Sequence, residues 1–324
     1  MSTVCQRPGQ GTYLPISVKT LHPSRVVGVS LYLKDPADGR LFLYRSPEVA
    51  LAESDLEKLV DRNVTTLYLE SGGHDRYQQY LRENLASIIE DESTPVQQRF
   101  GCLNEVVRSV LSEAFRTSDT EAVVECSNTM ARHCVDLICR EDVVATDLMD
   151  VMYHDYRTFT HSANVSYFCV LLARQLGIAD EQQLQDIAAG ALLHDIGKLD
   201  VSDRLLAKPG KLTDLEFDII RTHPQAGLQK LGSRDDLSFG QLMMVYQHHE
   251  RLDGGGYPVG VGGSGIHDWA KICSVADVFE ALTSHRSYRS GMRKSQALEI
   301  MDRDAGKALD KEILQCWKQT IARS

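Results

Sequence analysis

The chain has 324 residues, of which 43% are hydrophobic and 25% charged, and carries a formal net charge of -10. That length holds two domains with a real core, and the composition excludes a disordered or fibrous chain. The acidic balance argues against a long nucleic acid as partner, because a phosphate backbone needs a broad basic surface, but leaves room for a small phosphate ligand in a local basic pocket.

No apolar run approaches the roughly 18 residues a membrane helix needs. The start MSTVCQRPGQGTYLPIS has no apolar stretch between a basic beginning and a cleavage site, so it does not read as a secretory leader. Cysteines at 5, 102, 126, 134, 139, 169, 273 and 316 show no CxxC spacing, and Cys169 and Cys273 sit inside apolar helical patterns. They read as reduced, buried thiols of a cytoplasmic protein.

In chain order, YLPISVKTL, VVGVSLYL and RLFLYRS predict short strands separated by turns at His22-Pro23 and Asp35-Pro36 through Asp38-Gly39. SDLEKLVDRN predicts a helix starting at Ser54-Asp55, VTTLYLES another strand, and Gly72-Gly73 a break. Together they make a small α/β module of about 75 residues. It carries no motif that ties to chemistry, so a regulatory or scaffolding role is its default, and His22 and His74 read as surface residues. From Asp75 the pattern turns helical. Thr94-Pro95 restarts a helix, and residues 95–117 and 119–140 keep a 3.6-residue period through Leu103, Val106, Val107, Val110, Leu111, Val123, Met130, Cys134 and Leu137. These helices pack the second domain, couple the first to it, or pair two copies; the pattern leaves that choice open.

The following segments place ligand-type side chains on apolar helical faces. His161 leads Val165, Phe168, Cys169, Leu172 and Leu176. Ile187, Ala191, His194 and Asp195 recur at i, i+4, i+7 and i+8, which puts the His-Asp pair on a helix face turned to the core. Thr213 and Glu216 form a capping box for a helix whose Ile219–Ile220 stripe leads to His223. Leu242 and Val245 lead to His248 and His249, and Asp277 follows Cys273 by one turn. A buried carboxylate beside imidazoles is costly unless something pairs with it, and a metal ion does so directly. Seven such residues exceed the needs of one tetrahedral ion, so two ions sharing Asp195 fit better. Imidazole-rich, carboxylate-bridged sets suit iron, manganese, cobalt or zinc, and two ions serve phosphoester hydrolysis.

HDIGK at 194–198, the run HHERLDGGGYP at 248–258 and DVFEALTSHRSYR at 277–289 together resemble the HD-GYP subfamily of HD-domain phosphohydrolases, over roughly residues 145–305. The resemblance implies an all-helical domain with a di- or trinuclear metal centre that hydrolyses the bacterial second messenger cyclic di-GMP. It implies His161, His194, Asp195, His223, His248, His249 and Asp277 as metal ligands, with iron or manganese foremost. It also implies that Lys198 positions the substrate phosphate or an oxygen at the metals, and that Arg286 and Arg289 grip the phosphates.

Residues 285–294 hold Arg286, Arg289, Arg293 and Lys294 and no acid. A guanidinium fork suits phosphate better than an ammonium does, with a solvated basic turn as the bland alternative. Gly256 lets backbone approach a ligand, and Tyr257 is placed to stack or hydrogen-bond near it; an ordinary Gly-Pro turn is the plainer reading. Where some members have a Glu four residues before the first His, this chain has Arg157, which disfavours a third metal. His154 and Asp155 read as helix-entry residues and Glu280 as a supporting acid.

The expected fold is mainly α: a small α/β domain at 1–92, linking helices at 93–144, and an all-helical catalytic domain at 145–324. The expected activity is hydrolysis of cyclic di-GMP to the linear dinucleotide pGpG through a water between two metal ions, with onward cleavage to GMP left open. The alternative is a slow or inactive cyclic di-GMP receptor signalling through the first domain or a partner. No membrane insertion is expected, and homodimerisation or a signalling-protein partner stays open.

Overall fold

The computed structural model describes residues 12–322 apart from 24, 37, 92–95, 118, 141–157, 207, 209 and 285–289. Contacts divide the chain into Met1–Ser109 and Val110–Ser324, a division that falls inside a single helix, α3 (Val96–Thr117).

In the first unit, four strands form one sheet in the order β1-β4-β2-β3: β1 (Tyr13–Ser17), β2 (Leu31–Lys34), β3 (Leu41–Arg45) and β4 (Thr66–Glu70). Each neighbouring pair is antiparallel, with Tyr13 opposite Glu70 and Leu33 opposite Phe42. Along β4, Leu67 and Leu69 are fully buried while Thr66, Tyr68 and Glu70 are not, the period of two that one covered face demands. Helix α1 (Glu53–Asp61) starts where Ala52 N donates to the Asp55 carboxylate, satisfying an amide with no partner inside the helix. Helix α2 (His74–Glu90) turns Tyr77, Tyr80, Leu81 and Leu85 into the core. Tyr80 Oη accepts from His22 N at 2.8 Å, and Tyr77 Oη shares a 2.5 Å hydrogen bond with Thr20 Oγ1, so the segment after β1 is tied to α2 through two phenols. The stretch predicted as strand at 26–29 is instead irregular, and Val18–Thr20 forms a 3-10 turn.

The second unit is helical. Its members are α4 (Thr120–Arg140), α5 (Thr158–Gln175), α6 (Glu181–Leu193), α7 (Asp203–Leu206), α8 (Asp214–Ile220), α9 (His223–Leu231), α10 (Phe239–Gln247), α11 (Asp268–Thr283), α12 (Lys294–Asp304) and α13 (Lys311–Ala322). Helix α6 packs on α4, α5 and α10, while α11 packs on α5, α10, α12 and α13. Residues 160–173 of α5 are buried on every face, which makes α5 the axis of the bundle. Phe168, Phe279 and Trp317 meet edge to face or tilted at 5.1–5.5 Å, locking α5, α11 and α13 together.

The periodic positions of α3 and α4, from Leu103 to Leu137, are buried as expected. Among the described residues, Cys134, Cys139, Cys169 and Cys273 are free thiols. Among the described residues, no helix is long and apolar enough to cross a membrane.

Candidate metal centre

The ligand-type residues gather where helices begin and end. His161 lies in the first turn of α5. Helix α6 stops at Leu193, so His194 caps it and Asp195 opens the 3-10 turn Ile196–Asp200. The expectation of a helix running through the His-Asp pair therefore fails by two residues, and the chain turns at the pair itself. His223 is the first residue of α9, with Pro224 in the first turn where its missing N–H costs nothing. The capping box of Thr213 and Glu216 opens α8 as expected. The stripe beyond it does not turn inward: Ile219 is 51% exposed, and α8 ends before His223. On α10, Gln241, Met244, Val245 and His248 form the buried stripe, with Leu242 off it. His249 follows in the turn, and Asp277 stands in the middle of α11.

These segments converge because glycines let them. A Cβ on Gly197 would overlap the His223 carbonyl oxygen and come within 2.7 Å of Gly227 N. The HDIGK turn and α9 thus touch backbone to backbone, which brings Asp195 against His223.

Asp195 faces two pairs of histidines with its two oxygens. Oδ2 lies 3.7 Å from His161 Nε2 and 3.4 Å from His194 Nε2. Oδ1 lies 3.2 Å from His223 Nε2 and 3.9 Å from His248 Nε2. Two groups of ligand atoms, each within 4.8 Å, result: His161, His194 and Asp195 in one, and Asp195, His223, His248 and His249 in the other. Asp277 adjoins both, with Oδ1 3.0 Å from His161 Nε2 and Oδ2 4.0 Å from His249 Nδ1.

The hydrogen bonds at the far side of each ring decide what these atoms can hold. Nδ1–H donates to the Ala191 carbonyl from His194 at 2.7 Å, to the Ile220 carbonyl from His223 at 2.7 Å, and to the Met244 carbonyl from His248 at 2.9 Å. A carbonyl only accepts, so the proton sits on Nδ1 and, in the neutral ring, Nε2 presents a lone pair. Burial holds His248 well below its ordinary pKa, which keeps it neutral. His223 Nε2 and His248 Nε2 nevertheless stand 3.2 Å apart. Two lone pairs at that distance repel unless a cation lies between or beside them. His194 Nε2 and Asp195 Oδ1 are buried without a hydrogen-bond partner, a costly arrangement that a metal ion relieves. The donor set fits divalent metal, with no thiolate in either group.

Charge is distributed to match. Burial opposes ionisation of Asp195, but the Lys198 ammonium and the histidines outweigh it and hold the carboxyl well below the usual range. Lys198 Nζ donates to Asp195 Oδ2 at 2.5 Å, on the His161–His194 side. Burial likewise opposes Asp277, which His161 pulls strongly down, and burial lowers His249 to about 3.

Glu280 does more than the supporting acid expected of it. It is one turn beyond Asp277 on α11, and its carboxylate accepts from His161 Nδ1 at 2.5 Å, from Asn164 Nδ2 at 3.0 Å and from Ser284 Oγ at 2.5 Å. One helix therefore grips both nitrogens of His161.

Two residues went unread in the sequence. Glu250, 3% exposed, accepts from Val259 N at 2.8 Å and Gly260 N at 3.0 Å, pinning the loop after Tyr257. Arg221 lies over the Tyr257 ring at 4.9 Å. Their signals were faint: Glu250 merely adjoins the His-His pair, and Arg221 is distant in sequence from the ring it covers.

Tyr257 tilts against His249 at 4.7 Å and 31°, and its N–H donates to the His249 carbonyl. The close approach at Gly256 is to the protein's own backbone, since a Cβ there would meet Arg251 N and Glu250 Cα at 2.5 Å. Gly256 thus lays the loop flat on the residues that follow His249. Arg286 and Arg289, together with His154, Asp155 and Arg157, lie outside the described residues.

A family model described as "HD domain" matches residues 148–313. The chain belongs to the HD-domain family. Within it, HDIGK and the Gly-Tyr-Pro loop give this protein the HD-GYP pattern. It is 37% identical over 182 residues to a cyclic di-GMP phosphodiesterase of Pseudomonas aeruginosa, a span that is 56% of this chain and 42% of that protein. It is 40% identical over 167 residues to a 3′3′-cGAMP-specific phosphodiesterase of Vibrio cholerae, a span that is 51% of this chain and 35% of that protein. The HD-domain protein thus spans less than half the length of these relatives. A solved structure described as an HDG"Y"P protein from Bdellovibrio bacteriovorus superposes with a TM-score of 0.71 at 22% identity, over 97% of this chain and 100% of that one. That likeness is one of fold.

Proposed function

We propose that this HD-domain protein is a metal-dependent phosphodiesterase that opens cyclic di-GMP to the linear dinucleotide pGpG, with further cleavage to GMP left open. The observation that carries the reading is Asp195, a buried carboxylate whose two oxygens each face a separate pair of histidines. Relatives named as phosphodiesterases of cyclic di-GMP and 3′3′-cGAMP support the cyclic dinucleotide as substrate class.

His161, His194, Asp195, His223, His248, His249 and Asp277 would hold two divalent ions, with iron or manganese suiting an imidazole and carboxylate set. Arg157, four residues before His161, supplies no ligand and supports two ions over three. Such a pair, when bound, lowers the pKa of water and draws charge from a phosphoryl oxygen.

The chain's own groups do the remainder. Backbone carbonyls and Glu280 fix the rings of the histidines, so no reorganisation is left for the moment of reaction. Lys198 brings an ammonium to the edge of the site for a phosphate oxygen. Tyr257 and Gly256 form the wall beside His249, and Arg286 and Arg289 would receive the phosphates. Water adds to phosphorus, the P–O ester bond to one ribose breaks, and the departing oxygen takes a proton. Catalysis belongs to residues 145–324, with 1–92 regulating or scaffolding and 93–144 linking. The free thiols of Cys134, Cys139, Cys169 and Cys273 support a cytoplasmic location.

The test incubates the full chain, loaded anaerobically with iron or manganese, with cyclic di-GMP and separately with 3′3′-cGAMP, and separates the products. Release of pGpG from cyclic di-GMP is expected. Retention of cyclic di-GMP without product would make the protein a receptor, and turnover of 3′3′-cGAMP alone would reassign the substrate.

A further inference from the structure

The geometry points to Arg221 as a further substrate-binding residue, one that receives the uncleaved phosphate of a cyclic dinucleotide at the mouth of the metal centre. This rests on the proposed function, because it assigns a second contact for the same substrate.

Arg221 occupies the short gap between α8 and α9, two residues before His223. Its guanidinium lies over the Tyr257 ring at 4.9 Å, and the Tyr257 ring in turn leans on the His249 ring at 4.7 Å. A column of guanidinium, phenol and imidazole therefore leads from the surface to the ligand set. Phe217, one helical turn earlier, offers its ring at 5.9 Å, so the guanidinium carbon lies over two aromatic rings. A guanidinium carries its N–H donors in its own plane, so contacts to aromatic carbon leave donors for a planar anion.

Among the described residues, that edge is engaged only weakly. Among the described residues, the only acid facing it is Asp218, at 3.7 Å, and that carboxylate is 67% exposed. A pair of that kind is weak and exchanges readily. The side chain itself is 40% exposed, so it is open to a ligand. The arrangement is unlike Arg234, whose guanidinium is already spent on Asp236 and Glu121.

The substrate requires a cation in this place. A cyclic dinucleotide carries two phosphodiester charges, and only one can stand at the reacting position. Lys198 is bound to Asp195 and belongs with the reacting phosphate. The second phosphate needs donors beyond the ligand set, and to the proposed Arg286 and Arg289 the structure adds a planar fork whose edge donors can bind it bidentately. Arg221 stands there, one ring's depth outside His249.

Arg221→Ala and Arg221→Lys answer the question in the metal-loaded full chain, with cyclic di-GMP and bis(p-nitrophenyl) phosphate as paired substrates. The second compound has a single phosphate. For Arg221→Ala, KM for cyclic di-GMP should rise about tenfold or more, as expected for loss of a charge-assisted pair. That loss in kcat/KM should exceed the loss on the single-phosphate diester by a similar factor, with metal content retained. Arg221→Lys should recover part of the affinity, since it restores charge without the fork. Equal losses on both substrates would overturn the proposal and leave Arg221 as packing for Tyr257. Wild-type protein that cleaves the simple diester but never cyclic di-GMP would instead overturn the functional reading.

Discussion

Asp195 is ionised in a buried setting because Lys198 and four imidazoles surround it, and the cost of that setting predicts how substitutions behave. Removing a carboxylate that serves both histidine pairs should release both ions, whereas loss of His248 alone would leave the His161–His194 side intact. Glu280 gives a finer test. Glu280→Gln keeps the shape but removes the charge behind His161, so metal affinity should fall roughly 10–100-fold with helical content unchanged. Competition with a chelator measures this, and unaltered affinity would reduce Glu280 to a packing role. At this scale the His and Asp residues that the structure brings together stood out in the sequence by type, within apolar patterns. What was not legible was partnership across the chain. Glu280 meets His161 from 119 residues away and Arg221 meets Tyr257 with no shared period, and neither contact leaves a local signature.

Elements fix the site by ending in it. The helical period placed α4 and α10 well, but it carried no information on α5, where residues 160–173 are buried on all sides. It misled on α8, where Leu215, Phe217 and Ile219 are all substantially exposed. Helix ends are also where a single atom matters most. Gly197→Ala would push a Cβ into the His223 carbonyl, and neither backbone can yield cheaply. The substitution should cost about 1–3 kcal/mol or more in stability, read from denaturant midpoints, and should lower metal affinity as Asp195 and His223 part. A stable variant with full metal would mean that the turn and α9 are free to slide. Glu250→Ala leaves Val259 N and Gly260 N, both on exposed residues, to water in place of their carboxylate, at about 0.5–1.5 kcal/mol for each bond. It should loosen the Tyr257 loop, raising KM with metal content unchanged; an unchanged KM would show that the loop holds itself.

At the scale of the whole molecule, a bundle that carries buried lone pairs without hydrogen donors is incomplete until a cation binds. Metal should therefore stabilise the helical unit by mass action, by about 2.7 kcal/mol at a hundredfold excess over Kd. Chelation should lower the melting temperature of that transition, and an unchanged melting temperature would contradict the binding of metal at this site. The mainly helical architecture and the small sheet were both legible from periodicity, because segments of period two give way to segments of period 3.6 after Asp75. The most direct measurement counts metal per chain in anaerobically purified protein and in its Asp195→Ala variant, beside turnover of cyclic di-GMP. The account predicts about two ions and linear product in the wild type, and loss of both ions and of turnover in the variant, with the fold intact. A variant that keeps its metal or its activity would contradict it.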